Sequence, residues 1–180
     1  MPWFDSITKL RAKGVTFADG LTSEECESAE RAFGIKFPED YREFLREALP
    51  VGERFPDWRH CPESIAESLE WPWEGMAFDI DQNAWWIDLF GSRPPSLDEA
   101  LKVARSHYDE APKLIPIYGH RFIPSEPLVP CNPVFSVYQM DIIYYGSNLQ
   151  EYFEIEFLGR AHSTMSHSFR PIRFWDDVAE

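Results

Sequence analysis

Apolar positions late in the chain gather into three short runs, Leu114–Tyr118, Val134–Tyr138 and Ile142–Tyr145. Each is rich in β-branched and aromatic residues and is bounded by Gly, Pro or Asn. Side chains of that shape pack well on a pleated surface, so the runs predict strands. The spacing then changes. Leu149, Tyr152, Phe153 and Phe157 share one face of a helix, and Ser147 with Gln150 offers a capping box at its start. Two or three central strands feeding one helix are expected between Leu114 and Phe157.

Upstream the pattern is mostly helical. Thr22 and Glu25 form a capping box, Cys26, Ala29 and Phe33 make a narrow apolar face, and Gly34 stands where a left-handed residue ends a helix. Pro38, Glu39 and Asp40 suit the first turn of a second helix. Its core-facing stripe is Tyr41, Phe44, Leu45, Ala48 and Leu49, and Pro50 and Gly52 end it. Ser96 and Glu99 open a further helix with Leu97, Leu101, Ala104 and Tyr108 on its apolar face, ending before Pro112. Near the start, Trp3, Phe4, Ile7 and Leu10 predict a short amphipathic helix that ends before Gly14 and packs on the core.

Three stretches read as less regular. Glu53 to Glu74 holds Pro56, Pro62 and Pro72 among Trp58, Trp71 and Trp73, which predicts an ordered loop with a short helix over Pro62–Leu69. Gly75–Ile80 and Ala84–Phe90 predict a hairpin around Asp81-Gln82-Asn83. The four prolines of Pro124–Pro133 exclude a central strand, since Pro donates no ladder hydrogen bond. Beyond Arg160 a surface segment is expected, with Phe174–Trp175 docked back. The resulting expectation is an α+β chain, with a mostly antiparallel sheet of about five or six strands flanked by helices. Its parts are an N-terminal extension (1–20), one domain (21–158) and a C-terminal tail (159–180).

Charge narrows the partners. There are 31 acidic and 17 basic residues, a net charge of −14. Residues 19–70 carry fourteen acids and six bases, and residues 71–110 carry eight and three. DNA, RNA and anionic membrane are repelled by such a surface, and a basic partner is attracted. No apolar run reaches the ~18 residues a membrane span requires. The N-terminus lacks a secretory h-region, so a cytoplasmic protein is expected. Cys26, Cys61 and Cys131 are odd in number and far apart, which predicts free, buried thiols.

Chemistry-bearing motifs are few. The segment from Asp79 begins like a calcium loop, but Ala84 stands where the sixth-position Gly belongs and Phe90 where the bidentate Glu belongs. His60, His107, His120, His162 and His167 have no zinc spacing with cysteine. There is no nucleophile elbow, Walker loop or dinucleotide glycine pattern. Neither metal, cofactor nor catalysis is expected, an enzyme with scattered catalytic residues being the third reading after a binding protein and a regulatory module. Arg121 and Asp141 sit among the spine strands, where they pair with each other or line a groove. Trp85 and Trp86, read as strand neighbours, face opposite sides of a sheet. Either helices cover both faces, or one indole is an exposed anchor beside Asp79, Asp81 and Asp88.

Three blocks in order resemble one family. "LTSEECESAERAFGIKFPEDYREFL", "FDIDQNAWWIDLFGSRP" and "LIPIYGHRFIP" with "NPVFSVYQMDIIYYGSNLQEYFEIEF" are similar to the Smi/Knr-type domains of the SUKH superfamily, over Leu21 to Phe157. One departure is Leu49-Pro50-Val51-Gly52, where the family often has Asn-Gly after the second helix. The resemblance implies a SUKH-like fold. It also implies a bacterial immunity protein that binds a cognate toxin, a nuclease being the common kind, or else a regulatory module like the related yeast cell-wall-assembly regulator. The expected partner-binding residues are Trp58, Asp79, Asp81, Trp85, Trp86 and Asp88, on a chain that is a monomer when free.

Overall fold

A computed structural model describes residues 3–179. In chain order it holds α1 (Phe4–Ala12), β1 (Thr16–Asp19), α2 (Ser23–Phe33), α3 (Glu39–Glu47), β2 (Ala48–Val51) and α4 (Pro62–Gln82). A 3-10 turn at Asp88–Phe90 precedes α5 (Leu97–Glu110), β3 (Leu114–Tyr118), β4 (Arg121–Pro124), β5 (Val134–Tyr138), β6 (Asp141–Gly146), α6 (Leu149–Phe157) and the short α7 (Trp175–Val178). The class is α+β, and all strand pairs are antiparallel. Six strands divide between a β1–β2 ribbon and a sheet of order β3-β4-β5-β6.

Period-two alternation gives the large sheet two buried faces. Ile115, Ile117, Ile123 and Val134 point into one core, with Ile7, Leu10, Cys26, Phe44, Leu45, Leu149 and Phe153 from α1, α2, α3 and α6. Leu114, Phe122, Phe135, Val137 and Ile142 point into the other, with Met76, Ile80, Ala100 and Ala104 from α4 and α5. The tail closes that second core: Ile172, Phe174 and Trp175 are buried in it. Trp175 donates its indole N–H to the Pro112 carbonyl at 2.7 Å, which satisfies the one polar atom of a fully buried ring.

Local signals account for several boundaries. Thr22 and Glu25 form the reciprocal capping box, and α2 ends on Gly34 at φ 59° with Ile35 bonded back to the Glu30 carbonyl. The α6 cap falls one residue later than its spacing suggests. Asn148, not Ser147, accepts the Glu151 N–H at 2.9 Å, while the Glu151 carboxylate takes the Ser147 N–H. Helix α3 stops at Glu47, because Ala48–Val51 pairs with β1. Ala48 and Leu49 are buried in either conformation, so burial spacing alone does not separate helix from strand there.

The largest departure is α4. Residues 53–61 form the expected loop, but the expected short helix Pro62–Leu69 continues as a helix of 21 residues through Pro72 and Gly75, and it replaces the hairpin expected over Gly75–Phe90. Ile65, Leu69, Pro72, Met76 and Ile80 recur at helical spacing and face inward, Leu69 half-buried and the others fully so. An interior proline costs a helix about 3 kcal/mol, and this packing along both cores offsets it. Gly75 permits a close crossing, since a Cβ there would sit 2.7 Å from the Gln139 Cα in the β5–β6 turn. Ala84, at φ 54°, turns the chain out of the helix, and the Asn83 and Trp85 amides both bond the Asp79 carbonyl.

All three cysteines are free; Cys26 is buried, whereas Cys61 and Cys131 are exposed, contrary to the expectation for them. The Pro-rich segment after β4 is a constructed loop. Asn132, fully buried, donates to the Pro124 and Pro127 carbonyls, and the Glu126–Pro127 bond is cis. Among the described residues no helix is long and apolar enough to cross a membrane.

Candidate functional site

The residues expected to bind a partner are placed in four different environments. Trp58 is 8% exposed and belongs to the first core, edge-on to Phe37 at 4.9 Å, with its N–H 3.4 Å from the Tyr41 hydroxyl. Asp79, 6% exposed, accepts the Met140 N–H at 2.8 Å and is bonded by Asn83. Its carboxylate ties α4 to the β5–β6 turn and does not reach a surface. Asp81 and Asp88 are exposed.

Trp85 and Trp86 are half-buried in an irregular segment, so the strand argument for opposite faces does not apply. Both rings meet Phe90, at 5.9 and 5.0 Å. Trp86 also donates its N–H to the Gly91 carbonyl at 2.7 Å and lies under the Arg93 guanidinium. These indoles close the second core at its rim.

Arg121 is engaged elsewhere than expected. It pairs with Glu156 at 3.2 Å and Ser136 at 2.8 Å, over the Tyr145 ring, and not with Asp141. Among the described residues no cluster of three His, Cys, Asp or Glu side chains is placed to hold a metal.

The open surface lies on the other side of α4. Residues 62–82 contain six acids and no base. Helical spacing brings Glu67, Trp71, Glu74 and Phe78 to one stripe, on the side turned away from Ile65, Met76 and Ile80. Trp71 is 45% and Phe78 48% exposed. Beside the stripe is a groove of about 740 Å³ whose other wall is built by Arg54 from the β2–α4 loop, Gly119 and His120 from the β3–β4 turn, and Tyr138 at the end of β5. Tyr138 is 61% exposed.

Two fixed features shape the groove wall. The Gly119 N–H bonds the Arg54 carbonyl at 2.7 Å, and the Arg54 guanidinium lies 4.3 Å over the Tyr118 ring. Burial first, then the nearby Arg121 and Arg54 charges, lower the His120 pKa. The shift favours the neutral imidazole, and the Arg54 charge in the groove lining is seated on Tyr118. Among the described residues no ion pair engages Glu63, Glu67 or Glu74. Sequence reading named Trp71 only as a weight in a loop. Its place beside Glu67, Glu74 and Phe78 follows once the stretch is a helix.

The model of the SMI1 / KNR4 family (SUKH-1) matches residues 20–126, which include α4 and end before β5. No curated protein matches the chain. Nor does any solved structure.

Proposed function

The chain belongs to the SMI1 / KNR4 family (SUKH-1), and on that premise we propose that it is an immunity protein that binds and neutralises a cognate toxin, a basic nuclease. Family membership is consistent with an immunity-like or a regulatory domain. The observation that carries the narrower reading is the outer face of α4. It presents carboxylates without cations and aromatic rings without cover.

A nuclease needs a basic cleft to hold nucleic acid, and an acidic surface competes for that cleft. Long-range attraction then speeds encounter, while a few buried aromatics hold the complex. No step of this mechanism requires chemistry from the chain itself, so its action is occlusion and not turnover.

The test is reconstitution with basic toxin nuclease domains, taken first from any secreted protein encoded beside this gene. A one-to-one complex and loss of DNA or RNA cleavage are expected. Full cleavage in the presence of a molar excess of the chain overturns the reading. Specific binding to a host regulatory protein, with cleavage untouched, favours the regulatory module instead.

A further inference from the structure

We infer that the groove between the outer face of α4 and the β3–β4 and β5–β6 turns receives an arginine side chain of the protein partner. Trp71 and Tyr138 serve as its π faces, and Glu67 and Glu74 as its counter-charges. This deepens the proposed function by naming the surface and the chemistry it recognises, and it rests on that reading for the identity of the partner.

The protein supplies its own template on the neighbouring flank of the same helix. Arg105 of α5 lies 4.9 Å over Trp73 and 5.5 Å over Tyr108, and it pairs with Glu70 and Asp109. That constellation contains one Trp and one Tyr, two carboxylates and one guanidinium. Trp71, Tyr138, Glu67 and Glu74 repeat the first four parts around the groove.

The remaining cation–π contacts among the described residues are also made by arginine, from Arg11, Arg54, Arg93 and Arg121. Arg54 lines the groove, but its guanidinium is already seated on Tyr118. Guanidinium suits such a set of rings and carboxylates better than ammonium, since its plane stacks on a ring while its edge forks onto a carboxylate. Charge complementarity selects a basic segment as the occupant, because α4 contributes six acids and no base.

The groove also explains why this face is neither core nor ordinary surface. Three large aromatic residues are left 45%, 48% and 61% exposed at Trp71, Phe78 and Tyr138, and Trp71 and Tyr138 line the groove with Glu67 and Glu74. An interface anchor has that combination, an apolar centre ringed by charge.

The experiment is a titration of the full chain with hexa-arginine, hexa-lysine and hexa-glutamate peptides, followed by the indole N–H signals in NMR. Hexa-arginine should shift Trp71 and leave Trp85, Trp86 and Trp175 in place, and it should bind more tightly than hexa-lysine. Trp71→Ala and Tyr138→Ala should each weaken binding about tenfold, and Glu67→Gln with Glu74→Gln at least as much. Shifts spread evenly over the acidic surface, or an affinity indifferent to Trp71→Ala and Tyr138→Ala, overturn the inference. Self-association that disappears in Trp71→Ala also overturns it, since the occupant is then a second copy.

A nuclease complex that forms normally with Trp71→Ala sinks this inference and leaves the proposed function standing. Peptide docking at Trp71 with no nuclease bound does the reverse.

Discussion

Two aromatic stretches follow one another in the chain, each beside acids, and they end in opposite states. Around Trp85 and Trp86 the rings are engaged: Phe90 meets both indoles, Gly91 takes the Trp86 N–H, and Arg93 covers its ring. Around Trp71 the rings are bare and Glu67 and Glu74 have no cation. The same residue types make a core rim in one place and an open face in the other. What separates them is whether the folded chain itself supplies the partners.

The comparison breaks most visibly in stability. Met76→Ala, on the buried face of α4, should lower the unfolding free energy by about 2–5 kcal/mol in a urea titration. Trp71→Ala, one turn away on the outer face, should change it by less than about 0.5 kcal/mol. If Trp71→Ala destabilises as Met76→Ala does, the outer face is core after all.

Trp86→Ala should fall between them, losing about 1–3 kcal/mol with its packing on Phe90 and its hydrogen bond to Gly91. In nuclease binding the order reverses: Trp86→Ala should leave the affinity unchanged, while Trp71→Ala weakens it about tenfold, chiefly through faster dissociation. Equal losses of affinity would erase the distinction.

Acid sharpens the contrast between engaged and unengaged carboxylates. The Arg59 guanidinium first, then the Thr22 amide, hold the Glu25 pKa down to about 2 from an ordinary 4.5. Its stabilisation is present above pH 4.5 and is lost as pH falls toward 2. Arg59→Gln should therefore move the onset of acid unfolding to higher pH, followed by circular dichroism. Glu67→Gln with Glu74→Gln should not move it upward, since neither side chain has a cation to lose.

The smallest expected effect is kinetic. Glu67→Gln with Glu74→Gln should slow association with the nuclease a few-fold at low salt and flatten its salt dependence, with a Debye length of about 8 Å at physiological ionic strength. Asp81→Asn with Asp88→Asn, on the Trp85–Trp86 side, should do so less. The opposite ranking would return the docking face to the residues that the sequence alone suggested.

Legibility in the sequence followed the range of the interactions. Strands β3, β5 and β6, and helices α2, α5 and α6, are announced by runs, caps and spacings that lie within a few residues of one another. The β1–β2 ribbon is not, because Thr16–Asp19 finds Ala48–Val51 only in the folded chain. Helix α4 is hidden by Pro72 and Gly75, two residues that usually break helices and here are held by the cores on either side of the sheet. The site inherits that blindness. Asp79 looks like a surface acid until Met140 is brought to it across 61 positions, and the Trp71 stripe has no meaning at strand spacing.

The docked tail sets an order of events during synthesis. Leu149–Phe157, the last helix of the first core, leaves the ribosome before Ile172–Val178, which the second core needs for closure. The first core can thus close while the second, lined by α4 and α5, still lacks a tryptophan that lies 63 positions beyond the carbonyl it will bond. For that interval the nascent chain carries a core left open on its tail side, a substrate for holding chaperones.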